Sequence, residues 1–167
     1  MKTNLFMSKY QFNDARYGTH RLILSELGKG MSILDVGCGN GDLGHHSREN
    51  RFYGIEINRK EARDARKTYE KVFVGDIEKL INSSILLPKF DVIIFADILE
   101  HLFYPQNALT HFVNNFLKDD GKVVISLPNI AHLSVRLNLL FGRFDYTETG
   151  ILDKTHLHLY TLKSASN

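Results

Sequence analysis

The side chains able to do chemistry in this 167-residue chain fall at four short stretches, each just past a run rich in β-branched residues. The first is Asp35-Val36-Gly37-Cys38-Gly39-Asn40-Gly41, a carboxylate followed by three glycines at alternate positions. Glycines so placed let a backbone turn tightly and approach a ligand closely. The others are Glu56, Gly75-Asp76-Ile77 and Ala96-Asp97-Ile98-Leu99-Glu100-His101-Leu102. A carboxylate at Glu56 can accept both hydroxyls of a ribose, and Asp76 is placed to accept from an exocyclic amine. Any one of these acids taken singly reads as a turn residue or helix cap. Four strands that each end in a suitably placed polar group form a pattern.

The spacing excludes two familiar glycine-loop chemistries. Counted from Gly37 and Gly39, the third glycine or alanine slot of a dinucleotide fingerprint holds Asp42, and no Gly-Lys-Ser/Thr follows as in a phosphate-binding loop. Asp35 beside the loop would repel a pyrophosphate and suits a ligand that carries positive charge. Metal chemistry is a further reading. If a helix begins near Asp97, then Asp97, Glu100 and His101 stand at i, i+3 and i+4 on one face. With His156 they would make a mixed oxygen and nitrogen site for a divalent ion. His101 is also a candidate base, since an unperturbed imidazole titrates near neutrality; its plainer role is packing or capping at the next helix. His156 and His158 have strand spacing and make no site by themselves. The single cysteine, Cys38, excludes an intramolecular disulfide and a Cys-cluster zinc site.

Five strands must position these groups: 32–36, 52–57, 71–74, 90–95 and 122–127. Their near-continuous apolar character suits a parallel sheet covered on both faces. Helices are expected from Asp14 to Leu27, from Arg59 to about Tyr69 with Asn58 as cap, and from Pro105 onward, where Leu109, Phe112, Val113, Phe116 and Leu117 make one stripe. Asp119-Asp120-Gly121 reads as the turn into the fifth strand. Strands alternating with helices imply a doubly wound, Rossmann-like α/β sheet, mostly parallel, with ligands beyond the carboxyl ends of the strands.

Taken in order, Ile33 to Gly41, Gly54-Ile55-Glu56-Ile57, Gly75-Asp76, Phe90-Asp91-Val92-Ile93 and Asp97 to Leu102 resemble the class I S-adenosylmethionine-dependent methyltransferases, from about Tyr17 to the chain end. The resemblance implies S-adenosylmethionine as cofactor, its methionine part held by Asp35 and by the loop of Gly37, Cys38, Gly39 and Gly41. It implies Glu56 on the ribose hydroxyls, Ile57 against the adenine, Asp76 on the adenine amine with Ile77 beside it, and Ala96 and Asp97 near the sulfonium. The protein then mainly aligns the acceptor and excludes water, because the cofactor carries the reactive group.

The segment from Pro128 to about Tyr160 follows the fifth strand and mixes aromatic, basic and acidic residues. It resembles a bacterial subgroup that accompanies cell-surface glycan and lipid synthesis, which implies an acceptor lid over 128–160. Leu133, Leu137 and Leu140 are expected to pack, while His132, Arg136, Tyr146 and His156 face the acceptor. The candidate catalytic side chains are therefore His101, His132 and His156. The expected acceptor is a small molecule, sugar or lipid-linked group, methylated at oxygen. Two alternatives stand beside it: a metal-dependent enzyme like those that methylate small-RNA 3′ ends or ubiquinone precursors, and a cofactor-binding regulatory module without catalysis.

Composition sets the outer bounds. With 43% hydrophobic and 24% charged residues, the chain reads as one soluble globular domain. The longest apolar run, Val92 to Ala96, is far shorter than the roughly 20 residues of a membrane span. Residues 1–10 lack the apolar core of a signal peptide, so a cytoplasmic protein is expected. A net charge of +2 gives no argument for nucleic acid, and the basic run from Arg59 to Lys67 is broken by Glu61 and Asp64. The resembled family has seven strands, the last two an antiparallel hairpin, whereas only Thr161 to Asn167 follow the lid. A C-terminally shortened chain is thus expected, with an apolar fifth-strand edge that a second copy or another chain would cover.

Overall fold

A computed structural model describes residues 12, 13, 15–83 and 85–166. Five strands form one sheet: β1 (Ser32–Val36), β2 (Arg51–Glu56), β3 (Lys71–Val74), β4 (Phe90–Ala96) and β5 (Leu117–Ser126). Their order is β3-β2-β1-β4-β5, and every pair is parallel. The connections hold α1 (Thr19–Ser25), α2 (Asp42–His46), α3 (Arg59–Ala65), α4 (Ile77–Leu80) and α5 (Pro105–Phe116); α6 (Leu133–Leu140) and α7 (Leu162–Ala165) follow the sheet. The order reverses at β1, whose neighbours β2 and β4 leave to opposite sides, and this is where such sheets open a crevice for ligands.

The strand pleat divides the core in two. Along β4, Ile93 and Phe95 pack with Leu34, Val36, Ile55 and Phe112 on one face. Val92 and Ile94 pack with Ile33, Phe52 and Tyr69 on the other. Both faces are covered, as the unbroken apolar strands require. Asn58 caps α3, its side chain accepting from the N–H groups of Lys60 and Glu61. Pro105 opens α5, which buries Ala108, Phe112 and Phe116 against the sheet.

The structure corrects several local expectations. The first helix is shorter, Thr19–Ser25; Asp14, its expected start, lies outside the described residues. Asp119-Asp120-Gly121 is no turn ahead of β5 but a bulge within it, because Phe90 pairs with Leu117 and Val92 next pairs with Lys122. An ion pair pins the bulge: Lys118 Nζ donates to Asp91 Oδ1 at 2.6 Å, while Asp91 Oδ2 accepts from the Ser32 N–H and hydroxyl. In α6 the expected packing of Leu133, Leu137 and Leu140 fails. Leu133 is 64% and Leu140 77% exposed, and Val135 is the buried residue. The apolar residues run around this helix instead of along one stripe, so no single face can bury them. Among the described residues β5 is the sheet edge, no antiparallel hairpin follows it, and no helix is long and apolar enough to cross a membrane.

Candidate active site

A cavity of about 830 Å³ opens beyond the carboxyl ends of β1, β2 and β4. That volume is within the range of small-molecule sites. The floor is built by Asp35, Gly37, Cys38, Gly39, Glu56, Ala96 and Asp97, and Glu61 of α3 joins them. Glu100, His101 and the segment Thr149–Ile151 with Thr155 and His156 form another wall. Six carboxylates line the cavity (Asp35, Asp42, Glu56, Glu61, Asp97 and Glu100), and among the described residues no lysine or arginine lines it. Such a wall disfavours phosphate groups and favours a cation.

The glycine loop owes its shape to its lack of side chains. Gly39 has φ +52, and a Cβ there would meet only Glu61 Oε2, at 3.6 Å, so the position is an open cradle. Gly41 has φ +85 and packs so tightly on α3 that a Cβ would stand 2.8 Å from the Ala65 Cα. Glu56 braces both sides of this turn. Its Oε2 accepts from the Gly39 N–H at 2.9 Å and its Oε1 from the Asn58 N–H at 2.7 Å, leaving lone pairs on each oxygen for further donors.

Asp35 is buried. Its Oδ2 accepts a 2.6 Å hydrogen bond from the Tyr69 hydroxyl, and its Oδ1 has no partner. Burial raises its pKa to about 7, with Glu56 adding to the rise and the Tyr69 hydrogen bond opposing it. An orphaned carboxylate oxygen in a cavity lined by six carboxylates is a fitting partner for an ammonium group. Tyr69 was not singled out in the sequence; its placement needs the turn after α3 to fold back over β1 and β2. Glu61, whose pKa is raised by burial and by Glu56, was likewise read only as an acid breaking a basic helix face.

Asp76 and Ile77 stand apart from the cavity. Asp76 caps α4 by accepting from the Glu78 N–H, and Ile77 is buried in the core. Ile57, at 67% exposure, is outside the lining as well. Asp97 does not begin a helix: it has φ +48, and its Oδ1 accepts from the Ser126 hydroxyl. A short 3-10 turn, Leu99–His101, follows it, so the expected grouping of Asp97 with Glu100 and His101 on one helical face does not form. Of the four expected metal ligands, the structure gathers three, Glu100, His101 and His156, whose ligating atoms all lie within 4.8 Å of one another.

Glu100 is fully buried and neither carboxylate oxygen has a hydrogen-bond partner; burial raises its pKa to about 8, with Asp97 and Asp153 adding to the rise. Its backbone carbonyl accepts from the N–H groups of Leu157 and His158, which ties the late segment to the end of β4. His132 lies elsewhere. It is the N-cap of α6, its ring nitrogen accepting from the Ser134 N–H, and neither it, Arg136 nor Tyr146 lines the cavity. The expected acceptor-facing group is thus reduced to His156, joined by Thr149, Gly150, Ile151 and Thr155.

Residues 27–153 match the profile of a family described as Methyltransferase domain. The chain belongs to this family. A relative from Methanocaldococcus jannaschii, itself an uncharacterised protein, is 31% identical over 142 residues, or 84% of this chain and 53% of its own length. Among solved structures, a TehB-like SAM-dependent methyltransferase from Corynebacterium glutamicum is 27% identical with a TM-score of 0.53, over 66% of this chain and 61% of that one. A SAM-dependent methyltransferase from Thermotoga maritima, described as a possible histamine N-methyltransferase, shares the fold at TM-score 0.66 and 16% identity, over 89% of this chain and 65% of that one. The chain spans about half the length of the curated relative it matches. It is a S-adenosylmethionine-dependent methyltransferase domain, and the cationic sulfonium and ammonium of that cofactor suit the acidic cavity.

Proposed function

We propose that this methyltransferase domain transfers a methyl group to an oxygen of a small-molecule, sugar or lipid-linked acceptor. The observation that carries the reading is the two-sided cavity. Asp35, Glu56 and the glycine cradle line one part of it, and Glu100 with the imidazoles of His101 and His156 lines another. The orphaned Asp35 Oδ1 takes the ammonium of the cofactor, Gly37 and Gly39 give its methionine part close backbone approach, and Glu56 accepts the ribose hydroxyls with its remaining lone pairs. Ala96 and Asp97, also part of the floor, are followed in the chain by Glu100 and His101 of the wall. A hydroxyl held at this wall passes its proton to an imidazole there or to solvent water, which readies its oxygen for in-line attack.

The segment 149–156 acts as the acceptor lid. A cavity lined by six carboxylates and, among the described residues, by no lysine or arginine suits a neutral hydroxyl-bearing group better than an RNA end, whose phosphates call for cations. The test is calorimetry with S-adenosylmethionine and S-adenosylhomocysteine, followed by transfer of labelled methyl to a panel of sugars, polyols and lipid-linked saccharides. Binding and label in an ether product are expected. Absence of binding sinks the cofactor assignment, and binding without turnover on any acceptor points to a regulatory module.

A further inference from the structure

The wall opposite the glycine cradle has three groups whose chemistry goes beyond packing. Glu100 is fully buried, and no donor faces either of its carboxylate oxygens. A buried carboxyl group in that state is costly unless something fills the gap. Facing it at 3.9 Å is Nε2 of His156. The Nδ1 of His156 lies 3.1 Å from the Ile151 carbonyl, which can only accept, so Nδ1 bears the proton and Nε2 a lone pair.

His101 is set in the same way. Its Nδ1 lies 3.2 Å from both the carbonyl and the hydroxyl oxygen of Thr155. That hydroxyl donates at 2.6 Å to Asp153 Oδ1, so towards His101 it accepts, and the imidazole proton sits on Nδ1. A buried acid, Asp153, thereby fixes Thr155, and Thr155 fixes the tautomer of His101. Imidazoles that donate one ring N–H to a backbone carbonyl and keep the other nitrogen basic are arranged as metal-bound histidines are.

The geometry points to a divalent metal site formed by Glu100, His101 and His156, which takes a first-row divalent ion such as Mn²⁺, Co²⁺ or Zn²⁺ on the acceptor side of the cavity. Two nitrogens and one carboxylate suit these ions and leave coordination positions open to the cavity. Ligands about 2.1 Å from an ion stand roughly 3 to 3.4 Å apart. The 3.9 Å between Glu100 and His156 is close to that, and the 4.8 Å limit of the whole group needs a modest side-chain contraction. Asp97 takes no part, because its carboxylate is turned to Ser126.

This inference rests on the methyl-transfer reading for its role alone: an acceptor hydroxyl bound to the ion would release its proton to solvent water, and its oxygen would then receive the methyl group while the carbon–sulfur electron pair stays on sulfur. The site itself is independent of that reading.

The experiment is calorimetric titration of metal-stripped full chain with Mn²⁺, Co²⁺ or Zn²⁺ alone, with the visible absorption of Co²⁺ as a coordination signal. One ion per chain is expected, weakened about tenfold or more in Glu100→Gln and in His156→Gln. Both variants keep close to the parent's shape, and retained binding of S-adenosylhomocysteine certifies their folding. No stoichiometric ion in protein that binds S-adenosylhomocysteine overturns the site, as does unchanged ion affinity in both variants. If ion binding is as expected but S-adenosylhomocysteine does not bind, the site stands and the methyl-transfer assignment falls. If methyl transfer proceeds equally in EDTA, the ion's role in it is overturned and His101 or His156 acts directly as base.

Discussion

The titration of Asp35 should govern cofactor affinity across neutral pH. Burial holds its carboxyl near pKa 7, and its Oδ1 has no partner until a cation arrives. Only the ionised form attracts an ammonium, so the apparent affinity scales with the ionised fraction. That fraction rises from about one eleventh at pH 6 to ten elevenths at pH 8, a gain of about tenfold or 1.4 kcal/mol. The assay is calorimetric binding of S-adenosylhomocysteine at half-unit intervals from pH 6 to 8, in the parent and in Asp35→Asn. The variant should bind more weakly at pH 8 and lose most of the slope, while any pH dependence that does not come from Asp35 persists in both and subtracts out. Linkage also fixes the sign for stability without cofactor. A carboxyl whose folded pKa exceeds its ordinary 3.8 is most favourable to folding below that value, and stability is lost as pH rises towards 7. Asp35→Asn should therefore be more stable than the parent at pH 8 in urea melts, with about 4 kcal/mol as the upper bound. A parent affinity that is flat from pH 6 to 8, or a slope unchanged in Asp35→Asn, refutes the reasoning.

Other outcomes follow from the same geometry. Gly39→Ala should cost only about 1 kcal/mol in folding, for its positive φ, yet weaken S-adenosylhomocysteine binding by about tenfold or more by filling the cradle; Gly41→Ala, driven into Ala65, should cost about 2 to 4 kcal/mol in urea melts. Glu56→Ala releases the N–H groups of Gly39 and Asn58 together, so calorimetry should show at least a tenfold loss of affinity and denaturation a loss of about 2 to 3 kcal/mol. Asp91, held well below the usual carboxylate range by Lys118 and Ser32, stabilises the fold above its unfolded pKa, near 4, and this contribution is lost as pH falls below that. Asp91→Asn should cost about 1 kcal/mol at pH 7, small because the ion pair is partly exposed, and that difference should vanish in acid.

How much of this was legible in the sequence follows from the range of the interactions. The loop from Asp35 to Gly41, the carboxylate at Glu56 and the caps at Asn58 and Pro105 were readable, because a strand end, a turn and a cap depend on near neighbours. Asp76 shows the ambiguity of that code: the carboxylate expected to accept from a ligand also accepts from the Glu78 N–H as a cap, and the same residue type at a strand end serves either purpose. At Asp97, which lines the cavity as expected of a site residue, it was the helix that did not form. A helical face was inferred from spacing, whereas a hydrogen bond from Ser126, on the neighbouring strand, accompanies a left-handed backbone there. The bulge at 118–121 was hidden too, since Lys118 is tied to Asp91 across 27 residues and no local pattern encodes that.

The sequence by itself determined the five-strand α/β scaffold, the position of the glycine loop and the acidic character of the strand ends. Those properties are written in residue type and short spacing, where steric freedom at glycine and apolar periodicity act within a few residues. Tertiary structure alone decided which acids face one another and in what state. Asp35 meets Tyr69 from 34 residues away, and Glu100 meets His156 from beyond β5. Burial then sets the chemistry of both carboxyls, raising Asp35 to about 7 and Glu100 to about 8. Desolvation is a property of everything packed around a group, so it has no signature in the group's own stretch of chain.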